Sequence, residues 1–160
     1  MEHPLASLAT RYRFNESLLS TITEGFSPED WAAAPESGGN NPIWILGHIT
    51  TSRRFLLRRL GVEVHEEGWE RHFAMGTQLQ DPGAYPSPST LVGHFRSAGE
   101  ALVERCAVLD TKEAGASWGS AFPDGSETVE GGAHFLYMHE TYHLGQVGLL
   151  RRIRSKPGFA

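Results

Sequence analysis

The chain has 160 residues, of which 39% are hydrophobic and 21% charged, with a formal net charge of −5. This length suits one domain, 1–160, with one substantial core. The acidic balance argues against a general nucleic-acid binder, which would carry a basic face. One cysteine, Cys106, excludes an internal disulfide, and no run approaches the ~18 apolar residues of a membrane span. The N-terminus lacks the basic-then-apolar pattern of a signal peptide. A reduced, cytoplasmic setting is therefore expected, with no membrane partner.

The first helix is predicted over about 4–25, from Leu5, Leu8, Tyr12, Leu19, Ile22 and Phe26 at helical spacing. Asn15 interrupts that stripe on the same face and reads as a hydrogen-bonded interior amide. SPEDW at 27–31 reads as a Ser-capped helical turn. A second long helix follows over about 41–60, with Pro42 in its first turn and Gly61 at its end. Trp44, His48, Thr51 or Ser52, and Phe55 share one of its faces, which points His48 inward. Residues 61–86 form a long connection bearing Trp69, His72, Phe73 and Met75. Such a loop serves as a lid or as the crossover that up-up-down-down bundles need.

A third long helix spans about 88–109, with Leu91, Phe95, Ala98, Leu102, Cys106 and Leu109 as its core stripe. Cys106 reads as a buried, inert thiol, and His94 as a boundary residue. After a loop at 110–125 holding the turn signal Pro123-Asp124-Gly125, Ser126 is placed to cap the last helix. Glu127 and Glu130 favour its first turn, and it runs to about 154. Arg151, Arg152, Arg154 and Lys156 complement its negative end. No stretch alternates like a strand. The fold class expected is all-α, a four-helix bundle with long crossover loops.

His139 and His143 lie four apart in MHETYHLGQVGLLRR, which puts both imidazoles on one helical face about a turn apart. Two imidazoles so placed can share a metal ion, and a third from another helix completes a three-nitrogen face. HETYH also matches H-E-x-x-H, in which the glutamate, here Glu140, is a general base. No His, Asp or Glu follows His143. A third ligand must lie upstream, and His48 is the best placed. Glu140 is rotated about 100° from His139, toward solvent or another helix. His65, His72, His94 and His134 are not expected to ligate. The competing reading is a cluster of hydrogen-bonded core histidines with no ion.

WILGHITTSRRFLLRRLG, followed late in the chain by HETYHLGQVGLLRR, resembles the DinB/YfiT-like superfamily. The resemblance spans most of the chain, from the early helix with Asn15 to the terminal H-x3-H-x-G-Q helix. It implies a four-helix bundle with a divalent metal held by His48, His139 and His143, and often a homodimer. Gln146 matches a recurring position one turn beyond His143, where it serves the metal site, a substrate or helix packing. Arg151 and Arg152 match terminal basic residues with a structural role.

Three imidazoles leave a tetrahedral ion with an open position, and they suit Zn²⁺, Ni²⁺, Cu²⁺ or Fe²⁺. An open site points to reactive use of the metal. The resemblance implies a transferase joining a low-molecular-weight thiol to small electrophiles. A hydrolase that activates water, with Glu140 as base, is the second reading. A non-enzymatic, metal-stabilised binding or stress-response protein is the third.

Overall fold

The computed structural model describes residues 3–158. Four long helices dominate it: α1 (Ala6–Ile22), α3 (Pro42–Arg59), α4 (Pro88–Val108) and α6 (Val129–Ile153). Two short ones, α2 (Pro28–Ala32) and α5 (Thr111–Ala114), lie in the connections, and no strand occurs among the described residues. The fold is all-α. No helix among the described residues is long and apolar enough to cross a membrane.

Side-chain pairs fix the directions. His3 approaches the Leu109 carbonyl at one end, while Arg96 donates to Ser20 at the other, so α1 and α4 are antiparallel. Arg53 donates to the Phe95 carbonyl and Arg105 to the Leu60 carbonyl, so α3 and α4 are parallel. Tyr12 meets Tyr137, and Arg151 reaches the Ile22 carbonyl, so α6 runs along α1. The order is up-down-down-up, not the up-up-down-down arrangement that the long connection evokes. One crossover is needed, and it is 60–87. It must retrace α3, whose 18 residues are about 27 Å long, and in doing so it passes beside His48.

Caps explain most of the boundaries. Asn41 accepts from the Trp44 amide ahead of Pro42, and Ser87 accepts from the Thr90 amide ahead of Pro88. Ser27 and Asp30 form a reciprocal capping box on α2. The last helix begins later than the sequence reading has it. Ser126 spends its hydroxyl and amide on Asp124 in the preceding turn. The chain then pairs as a bridge between Ser117 and Thr128, and Thr128 caps α6 through the Gly131 amide. The 110–125 loop also contains α5, announced by an Asp110/Glu113 capping box.

The interior has two apolar clusters. Leu8, Tyr12, Leu56, Leu57, Leu102, Cys106 and Ala133 belong to one. Leu19, Ile49, Phe95, Leu144 and Val147 belong to the other. On each long helix the residue between the two is polar or missing a side chain: Asn15, Arg53, Gly99 and Glu140. A polar layer therefore crosses the bundle at mid-height. Arg53 is 1% exposed and lies 3.4 Å over the Phe95 ring. A Cβ on Gly99 would stand 2.2 Å from its guanidinium, so the glycine makes the room. Phe55 departs from its expected inward place: it is exposed, edge-on to Trp118.

Candidate metal centre

His48 comes from the middle of α3, and His139 and His143 from successive turns of α6. Antiparallel packing of the two helices brings them together. Nε2 of His139 lies 3.1 Å from Nε2 of His48 and 3.1 Å from Nε2 of His143. One ligand atom from each of the three falls within 4.8 Å of the others, and no other such group of His, Cys, Asp or Glu occurs among the described residues. Nitrogens ~2.0–2.1 Å from a tetrahedral zinc stand about 3.3 Å apart, so the spacing fits an ion.

The outer nitrogens decide which lone pairs face inward. Nδ1 of His48 lies 2.7 Å from the Phe73 carbonyl oxygen, which can only accept, so Nδ1 carries the proton. Nδ1 of His143 lies 2.7 Å from Gln146 Oε1 and donates there in the same way. In the neutral rings both Nε2 atoms therefore present lone pairs to the same point. His139 has one proton to offer and cannot serve both. Its Nδ1 is buried with no hydrogen-bond partner among the described residues. Three protein nitrogens thus converge with too few protons to join them, which is a donor set suited to a cation.

Burial chiefly pushes the His48 imidazole below its ordinary value, opposed by the bond to Phe73. Burial, then the neighbouring His143 and His48, lower His139 to about 4. Burial also lowers His143, against the bond to Gln146. All three rings are thereby neutral near pH 7, the form that ligates metal.

Two devices orient His48. The Trp44 ring stacks on it at 4.7 Å, one turn earlier on α3. Phe73, fully buried, sits on Gly47, where a Cβ would stand 2.2 Å from the ring. That close approach brings the Phe73 carbonyl within reach of the imidazole. Beside His48 runs an open cleft of about 640 Å³, with Thr51, Ser52, Phe55 and Arg58 of α3 on one wall and Gly68, Phe73 and Met75 of the crossover on the other. His48 alone of the three histidines lines it.

Glu140 does not face the histidines' open side. It is 1% exposed, and Arg53 grips it with Nε at 2.6 Å and Nη2 at 2.9 Å. Asn15 donates to the same carboxylate at 2.9 Å, in keeping with the interior amide its position implies. With its charge committed to a buried ion pair, Glu140 is a structural anchor and not a free base. Arg53 is the residue that sequence reasoning missed. The signal was a charged position four after Ile49 and three before Leu56, on the apolar face.

The remaining histidines are elsewhere. His65 is exposed, and its carbonyl accepts from Arg54. His94 is half-buried against Trp69, and neither His72 nor His134 joins the cluster. Cys106 is free and fully buried in the apolar cluster away from the site. Arg151 donates to the Ile22, Glu24 and Pro157 carbonyls, and Arg154 pairs with Asp30. The basic end of α6 therefore ties down neighbouring chain ends.

Fold and site define an α-helical bundle with three convergent histidines from two helices, an arrangement able to take a metal ion. The chain belongs to the DinB superfamily, whose family model matches residues 11–147. No curated protein matches it.

Proposed function

We propose that His48, His139 and His143 hold one divalent ion, and that the protein is a transferase joining a low-molecular-weight thiol to a small electrophile. The observation that carries this reading is the convergence of three neutral Nε2 atoms beside an open cleft, with no fourth ligand among the described residues. Structural zinc sites are closed by four protein ligands; sites with three keep a position for a substrate. A bound ion of this kind supplies a Lewis acid that favours the anionic form of a thiol or of water. The protein's own part is to present lone pairs, fix the rings through Phe73 and Gln146, and hold the co-substrate along α3.

Hydrolysis is the weaker alternative, because Glu140 is sequestered by Arg53. Zn²⁺, Ni²⁺ and Fe²⁺ all suit three imidazoles, so the donor set does not choose among them. A homodimer, implied by the family resemblance, has an apolar face available on α6, where Met138, Tyr142, Leu149 and Ile153 are exposed.

The test is elemental analysis of tag-free protein beside His48→Ala. About one divalent ion per chain, lost in the variant, is the expected result, followed by thiol consumption with a reactive electrophile. No metal after reconstitution would end the enzymatic reading. Metal that raises stability without turnover would favour a binding role.

A further inference from the structure

The crossover could have passed His48 as a plain apolar wall, yet it carries a buried carboxylate. Glu70 is 7% exposed and opens the single helical turn Glu70–Phe73. It accepts from Arg54 Nε at 2.9 Å and from Arg58 Nη1 and Nη2 at 2.9 and 2.8 Å. The Glu67 amide adds a bond at 3.1 Å. The same arginines reach the carbonyls just upstream: Arg54 that of His65, and Arg58 that of Val64 at 3.3 Å. Two residues of α3 thus staple 64–70 back onto their own helix.

The turn is too short to absorb slack. Three residues after Glu70, the Phe73 ring lands on Gly47 and its carbonyl reaches Nδ1 of His48. A closed circuit results: from Arg54 and Arg58 to Glu70, along one turn to Phe73, and back to His48 on α3. Burying a carboxylate costs free energy that pairing only roughly offsets, so simple wall-building would be better served by an apolar side chain. What an ion pair adds over an apolar contact is direction and register.

We propose that Glu70 is a positioning residue of the metal centre: by fixing the 70–73 turn it sets the orientation of His48 and the nitrogen that His48 presents. The inference rests on His48 being a ligand only for its effect on metal binding. The effect on the ring itself stands apart from that reading.

The test compares wild type, Glu70→Gln, the milder Arg58→Gln and, as control, Glu67→Gln, a residue that joins the clamp through its backbone amide and not through its side chain. Long-range ¹H–¹⁵N spectra of metal-free protein report the imidazole tautomer. Wild type and Glu67→Gln should show His48 with its proton on Nδ1. Glu70→Gln should show a mixture of tautomers, and Arg58→Gln a smaller change in the same direction. Zinc affinity, by chelator competition, should weaken about 10–100-fold in Glu70→Gln, the usual range for groups that orient a ligand. A lower melting temperature with unchanged tautomer and unchanged zinc affinity would overturn the proposal and leave Glu70 a structural residue. Should Glu70→Gln not fold, an Arg58→Gln spectrum identical to wild type would overturn it. Should wild type bind no zinc, the proposed function falls, and the tautomer spectra still decide the role of Glu70.

Discussion

Two polar clusters share the middle of the bundle, and they are built in opposite ways. Around Arg53 the charges are paired: the guanidinium donates to Glu140 and to the Phe95 and Tyr12 carbonyls, Asn15 donates to Glu140, and the Asn15 amide oxygen is left without a partner among the described residues. Around His139 protons and lone pairs do not match, because three imidazole nitrogens meet with too few protons among them. The first cluster draws the four helices together, since its partners come from α1, α3, α4 and α6. The second joins only α3 and α6 and remains chemically unfinished. Opposite charges that the protein pairs within itself hold the fold, whereas converging nitrogens short of protons are suited to a ligand.

That contrast can be broken most forcefully at Glu140. Glu140→Ala strands a buried guanidinium, and a loss of about 3–5 kcal/mol in urea unfolding of metal-free protein is expected. A loss below ~1 kcal/mol would put Arg53 within reach of water and erase the distinction. His139→Asn is the counterpart. It should cost metal-free protein only about 1 kcal/mol, yet abolish metal uptake measured by elemental analysis.

Acid sharpens the comparison further. His139 titrates at about 4 in the native state against an ordinary 6.5, so below pH 6.5 the unfolded chain binds the extra proton first. The contribution of His139 to the stability of metal-free protein is full above about pH 6.5 and is lost as pH falls through about 4. Urea midpoints at pH 7.5, 6 and 5 should show this decline, reduced in His139→Asn. Equal declines in both proteins would assign the effect to other groups.

The smallest effect is at Cys106, where burial pushes the thiol up to about 11. Native protein at pH 8 should resist a thiol-labelling reagent, and unfolded protein should take one equivalent. Fast native labelling would open a route into a cluster otherwise closed.

The long helices were legible because their stripes and caps agree. Pro42 and Pro88 stand at first turns behind Asn41 and Ser87, and Leu91, Phe95, Leu102 and Cys106 are all fully buried as their spacing implies. His139 and His143 were legible because their spacing is local to one helix, and His48 because it shares a face with Trp44 and matches the family pattern. Less was legible where partners are distant. Arg53 lies in SRRFLLRR, one of four arginines in eight residues, and its partner is 87 positions away. The start of α6 depended on a bridge from Ser117 to Thr128, which no local pattern announces. The crossover betrayed its aromatic residues, but not that Phe73 would deliver a carbonyl, since that requires Gly47 beneath it.

His48 and His139 stand 91 positions apart along the chain. A ligand that joined them would be a removable cross-link. Closing a loop of that length takes about 4–5 kcal/mol of freedom from the unfolded ensemble if the link persists there. If the link exists only in the folded state, the ligand's affinity appears directly as added stability. If the three histidines hold a metal ion, a chelator would lower the stability of the folded protein on either account.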